Sequence, residues 1–165
     1  MLRSVLQPMA IDIVKDDGYQ PLVQAGGSAA VLDRYERDLP GYDVLRGDLE
    51  KSEWEAIREM TPRFLREHPD GALVRISCTL PDVLHVLAKL PSPALARAGS
   101  GVVYGYFAEA RDAVGQGVIE FAPQNFRKEN ELWPSPGTDF AMMEKVKAMF
   151  DPDRLLNRGR LYGRI

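Results

Sequence analysis

The sequence predicts an α+β domain, a ferredoxin-like-type sandwich in which helices pack on one face of a mainly antiparallel sheet. Three observations predict it. Short β-like runs alternate with helical patterns along the chain, two of those runs are close enough to form a hairpin, and the connections are short, without a long parallel βαβ series. At 165 residues, 45% hydrophobic and 27% charged, the chain has the length and apolar content of one globular domain with a sizeable core.

From the N-terminus, residues 20–25 (QPLVQA) form a short apolar run that ends at Gly26 and Gly27 and reads as a strand. Ser28 then caps a helix burying Val31, Leu32, Tyr35 and Leu39, which Pro40 and Gly41 stop. Residues 42–46 (YDVLR) read as a second strand with alternating faces. Ser52 and Glu55 have capping-box spacing at the start of a helix whose face carries Trp54, Ile57, Thr61, Phe64 and Leu65, and Pro62 is expected to kink it. Residues 72–79 (ALVRISCT) are β-like. Leu80, Pro81 and Asp82 open a short helix through Leu90, with Pro81 near the first helical position.

Residues 95–98 and 101–108 read as neighbouring strands joined across Gly99, Ser100 and Gly101, and residues 117–122 (GVIEFA) as another. Residues 123–137, polar and broken by Pro134 and Pro136, read as a loop over the surface or over a pocket. The last helix spans about 138–150, with Met142, Val146, Met149 and Phe150 recurring as core positions, and ends at Asp151 and Pro152. A basic tail follows.

Composition narrows the function classes. Twenty-one basic and 24 acidic residues give a net charge of −3, so no global field draws the chain to nucleic acid or an anionic membrane. One cysteine excludes a disulfide framework and points to a reducing compartment, with the cytoplasm as the expected location. No apolar run approaches the length of a membrane span, and the first ten residues lack a signal-peptide core.

The sequence contains no GxxxxGK(S/T) loop, no GxGxxG after a strand, no HExxH, no GxSxG and no CxxC pair. The glycines at 26–27 and 99–101 read as turns rather than as a phosphate site. His68 and His85 lack a second metal-type ligand at useful spacing, and Cys78 alternates with Ile76 and Leu80 as a buried, inert thiol would. Arg75 and Ser77 are the stronger candidates, sharing one face of a strand whose other face carries Val74, Ile76 and Cys78. An arginine there needs a partner, either a carboxylate at the core edge or an anionic substrate, because its guanidinium fork matches a carboxylate. Tyr104 and Tyr106 share a face of the hairpin strand, as pocket wall or as cover for the sheet.

The run from Met143 to Leu161 resembles the end of FAD-linked oxidases of the vanillyl-alcohol oxidase superfamily, which close with a helix, a K-x-x-x-D-P step and an L-N-P-G segment. Lys147, Asp151, Pro152, Leu156, Asn157 and Gly159 match, while Arg158 stands where the family has proline. The rest is similar, in order and landmarks, to the C-terminal half of flavin-binding subunits of the glycolate-oxidase type: the helix at Trp54, the Arg-x-Ser strand at Arg75 and Ser77, a Leu-Pro before a short helix, and a glycine-led tyrosine strand.

The resemblance implies that residues 1–153 form the cap, or substrate, domain of an oxidase acting on a small 2-hydroxy acid. It implies that residues 154–165 dock on an FAD-binding domain or subunit outside this chain, with other oxidase subunits as further partners. FAD is the implied cofactor of the whole enzyme, and the chain alone is expected to be inactive and not to bind it. Arg75 would take the substrate carboxylate, with Ser77, Tyr104 and Tyr106 around it, and Asn157 and Arg160 would face the flavin domain. Arg154, Arg158, Arg160 and Arg164, with no acidic residue among them, suit either docking on a complementary surface or a solvated basic end. The residues by themselves leave open a free-standing α+β module for small ligands or subunit contact, with no redox role.

Overall fold

The computed structural model describes residues 6–159 and 161–162. Six strands, β1 (Ala10–Lys15), β2 (Tyr19–Gln24), β3 (Ala72–Ser77), β4 (Ala94–Arg97), β5 (Val102–Phe107) and β6 (Val118–Phe121), form one sheet in the order β2-β1-β4-β5-β3-β6. Every neighbouring pair is antiparallel, so the chain adopts the expected α+β class. The helices are α1 (Ala29–Asp38), α2 (Asp48–Glu67), α3 (Val83–Lys89), α4 (Gln124–Glu129) and α5 (Phe140–Phe150). Among the described residues no helix is long and apolar enough to cross a membrane.

Helices cover both faces of the sheet, where a single helical layer was expected. The strands themselves dictate this. β3 alternates Ala72 and Val74 with Leu73, and β5 alternates Val103 and Phe107 with Tyr106, so both faces carry apolar side chains that must leave water. On one face α2 lays Ile57, Met60 and Phe64 against Leu73, Leu95 and Tyr106. On the other, α3 brings Val83 and Leu87, with Leu90 just beyond it, against Val74, Ala94, Ala96 and Val103. The alanines of β4 leave room for that second layer to approach closely.

Two local devices fix the frame. Lys15, at the end of β1, donates its Nζ to the carbonyls of Leu90 at 2.5 Å and Ala88 at 3.0 Å, setting a cation on the exposed carbonyl end of α3. Gly101 closes the β4–β5 connection with a φ of 70°, and a Cβ there would collide with the carbonyl oxygen of Cys78. The Cys78 amide in turn donates to the Gly101 carbonyl at 2.8 Å, so the hairpin turn is pinned to the end of β3.

Several stretches depart from the sequence expectations. β1 was not expected; it completes the sheet by pairing with β2 and β4. Residues 42–46 are not a strand: the segment runs without regular structure beside α1 and α2, and Tyr42, Val44 and Leu45 are exposed. α2 begins at Asp48, one turn before the Ser52–Glu55 pair. Gly47, at a φ of 64°, turns the chain there, and Asp48 and Glu50 in the first turn complement the helix dipole. The helix then spans 20 residues and continues past Pro62, which sits on its exposed side. Residues 123–137, expected as a loop over the surface or over a pocket, run largely exposed over the surface but are not all loop: they contain α4, and Phe126 and Leu132 pack against the α3 side of the sheet.

α5 overturns the largest expectation. Its sequence pattern predicts core positions for the methionines and Phe150, yet Met142, Val146, Met149 and Phe150 are exposed, Phe150 at 77%. The helical spacing is real, but the stripe faces solvent, and the helix is anchored at its start by buried Phe140. Periodicity reports that a face is apolar, not what covers it.

Candidate functional site

The α2 side of the sheet has a covered half and a polar half. In register across the strands, Ser77, Val102, Arg97, Asp12 and Leu22 form one row, and Arg75, Tyr104, Leu95 and Val14 the next. The expected pairing of Arg75 with Ser77 on one face therefore holds, and the register adds Tyr104 directly opposite Arg75. Arg75 Nε donates to Glu120 Oε1 of β6 at 2.6 Å, and its Nη1 donates to Ser77 Oγ at 3.1 Å. Of the two partners open to this arginine, the carboxylate at the sheet edge is present. Its side chain remains 32% exposed, and the guanidinium keeps further N–H donors for an anion.

Tyr106 parts company with Tyr104. It is buried beneath α2, with its hydroxyl 2.8 Å from Thr61 Oγ1 and its ring edge-on to Phe64 at 5.2 Å. Burial pushes its phenol above the ordinary value, only partly offset by the Thr61 hydrogen bond. It braces the helix on the sheet and is sealed from any ligand; Tyr104, half-buried, remains at the edge of the polar half.

Sequence reasoning missed the ionised pair beside this patch. Asp12 of β1 is fully buried and accepts a hydrogen bond from Arg97 Nη1 of β4, directly across the strand pair. Desolvation raises the Asp12 carboxyl above its ordinary 3.8, working against the lowering effect of the Arg97 charge and hydrogen bond. The pair was legible only as alternation in Ile11-Asp12-Ile13, where an acid between isoleucines calls for a cation.

Other candidates fall into simple places. His68 stacks on Phe64 at the end of α2, with ring centroids 4.5 Å apart, and His85 is exposed. Cys78 is half-buried, and desolvation together with the Asp82 carboxylate holds its thiol above the ordinary value, the reverse of an activated nucleophile. Among the described residues no group of three or more His, Cys, Asp or Glu is set to hold a metal ion.

The motif that carried the family resemblance acquires a physical meaning at the C-terminus. Lys147 and Asp151, one helical turn apart, form an ion pair at 2.6 Å. The Asp151 carboxylate also accepts the backbone amides of Leu155 at 2.9 Å and Leu156 at 3.0 Å, while Lys147 Nζ reaches the Leu156 carbonyl at 2.6 Å. These hydrogen bonds, the one from Lys147 first, hold the Asp151 carboxyl at about 2. The clasp reverses the chain and holds Leu155, Leu156 and Asn157 outward, Asn157 at a φ of 47°. Arg158, at the family's proline position, donates from Nε to the Arg154 carbonyl at 2.8 Å. Tyr162 returns to the domain, donating to the Pro134 carbonyl at 2.7 Å and meeting the Phe140 ring edge-on. Arg160 lies outside the described residues.

The class defined so far is an α+β domain with a polar half-face on its sheet and a clasped, outward-facing tail. Compared with models of known protein families, with curated proteins and with solved structures, the chain matches none.

Proposed function

We propose that this chain is the cap domain of an FAD-dependent enzyme of the cytoplasm that oxidises a small 2-hydroxy acid of the glycolate type. The observation that supports this reading is the surface formed by α5 and the clasp. Met142, Met143, Val146, Met149, Phe150, Leu155 and Leu156 are all exposed there, ahead of a run of arginines. Exposed apolar side chains concentrated on one helix and the turn after it mark a contact with another polypeptide.

The residues of this chain do not fit FAD itself. The first turn of α2 carries Asp48 and Glu50, which repel a pyrophosphate, and the apolar cavity between β2, α1 and α2 is bordered by Glu36, Asp43, Glu50 and Glu53. In this reading the flavin and its redox chemistry belong to the other polypeptide, and this chain binds and orients the acid. Arg75 offers its remaining N–H donors to the substrate carboxylate, with the Ser77 and Tyr104 hydroxyls beside it.

The test is to isolate the chain with its native partners and measure flavin absorbance and glycolate oxidation. A flavin-containing complex that oxidises the acid, and that Met149→Asp together with Phe150→Asp dissociates, is the expected result. Tight binding of FAD by the chain alone, or a native complex without flavin, would overturn the reading and leave a subunit-contact module with no redox role.

A further inference from the structure

We infer that two adjoining cavities beside α2 form one groove for a small monoanion with an apolar body, a site separate from the Arg75 patch and independent of the flavin reading. The first, of about 260 Å³, lies between β2, α1, the start of α2 and residues 42–46, with Leu22, Leu32, Tyr35, Leu39 and Val44 in its walls. The second, of about 310 Å³, carries Lys51, Arg58 and Arg97. They share Gln24, Glu50 and Trp54, so the apolar chamber opens into a cationic one past an indole ring. Each is close to the lower end of the size range of small-ligand pockets, and their composition is that of such sites, apolar walls with a few polar groups at one end.

The charges give the groove a direction. Arg97 is committed to Asp12, and Lys51 lies 3.2 Å from Asp48, but Arg58 has no ion-pair partner among the described residues. It is the cation available to a ligand. Glu50 on the shared wall excludes an anion from the junction, so an acidic head belongs on the Arg58 side. In the apolar chamber Glu36 is neutralised by Arg46, while Asp43 and Glu53 disfavour a second negative charge. The ligand is therefore charged at one end only.

A second, independent observation marks the same place. Tyr35, 6% exposed and part of the chamber wall, has a buried hydroxyl with no hydrogen-bond partner. A buried polar atom without a partner is uncommon in folded proteins and requires an explanation. A ligand whose inner end carries an acceptor supplies one.

The probes are two dyes that share an anilinonaphthalene body and differ by one sulfonate: anionic 8-anilinonaphthalene-1-sulfonate and neutral N-phenyl-1-naphthylamine. Each is titrated into the full chain and followed by fluorescence. Both should bind saturably at one site. Arg58→Gln, an exposed change, should weaken the anionic dye about tenfold, the size of one charge-assisted hydrogen bond, and leave the neutral dye unchanged. Val44→Asp, also exposed, should abolish both. Met149→Asp on the apolar face of α5 should affect neither. Absence of saturable binding overturns the inference. So does loss of signal in Met149→Asp but not in Val44→Asp, which would put the dye on α5. An equal effect of Arg58→Gln on both dyes, or none on either, removes the anionic end of the ligand and with it the proposal.

Discussion

Replacing Arg97 by methionine tests the account of the buried pair most sharply. The substitution keeps the length and apolar stem of the side chain and removes the charge opposite Asp12, whose side chain is only 2% exposed. Stripping one partner from a fully buried pair costs about 3 to 5 kcal/mol, because a carboxylate remains in a site that neither water nor a cation solvates. Arg97 is 39% exposed, so the pair is screened and the expected cost falls to about 2 to 3 kcal/mol at pH 7. The pH dependence carries the diagnosis. The Asp12 carboxyl is already raised above 3.8 in the folded chain, so its contribution to stability is largest at low pH and declines as pH rises through the folded value. Without Arg97 the carboxyl rises further and protonates more readily, so by pH 4 the cost should fall below about 1.5 kcal/mol. Urea unfolding followed by tryptophan fluorescence at both pH values, with Asp12→Asn and the double variant completing a mutant cycle, gives the numbers. A cost equal at the two pH values, or below about 0.5 kcal/mol at pH 7, would refute the argument that a buried charge sets the energy.

Other consequences follow from the same structure. Tyr35→Phe removes a hydroxyl that has no partner, so the free chain should be unchanged or up to about 1 kcal/mol more stable in the same unfolding assay. Gly101→Ala forces a side chain onto a positive φ and against the Cys78 carbonyl, and should cost about 2 to 3 kcal/mol in thermal or urea unfolding. Asp151→Asn releases the tail clasp, seen as faster proteolytic cutting after residue 151 with the sheet core intact. In the native chain the Asp151 carboxyl is held at about 2, below its ordinary 3.8, so the clasp should be fully present above 3.8 and open only as pH falls through about 2.

The α2 side shows how far pattern reading reaches into a site. The face shared by Arg75 and Ser77 follows from strand alternation alone, because successive side chains must point to opposite sides. The same rule puts Tyr104 and Tyr106 together, but it does not distinguish a half-buried phenol from one buried under a helix. That distinction came from the packing of α2: Phe64 and Thr61 contact Tyr106 directly, while Tyr104 packs at the margin of the same cluster and stays partly exposed. Likewise, the K-x-x-x-D-P spacing put Lys147 and Asp151 one helical turn apart, whereas the acceptance of two tail amides by one carboxylate needed the chain to turn back on itself.

Local chemistry in the sequence was sufficient for the α+β class, the helix–strand alternation through the middle of the chain and the hairpin around residues 99–101. Each rests on residues within a turn or two of one another. Tertiary structure decided what depends on distant partners. β1 is held in the sheet by β4, some eighty positions away, where Arg97 pairs with Asp12; residues 42–46 lie beside α1 and α2 without pairing to a strand; and the apolar stripe of α5 stays exposed while α2 and α3 supply the helices of the two core clusters. Periodicity records which side chains avoid water, while the packing of distant elements decides which of them are covered.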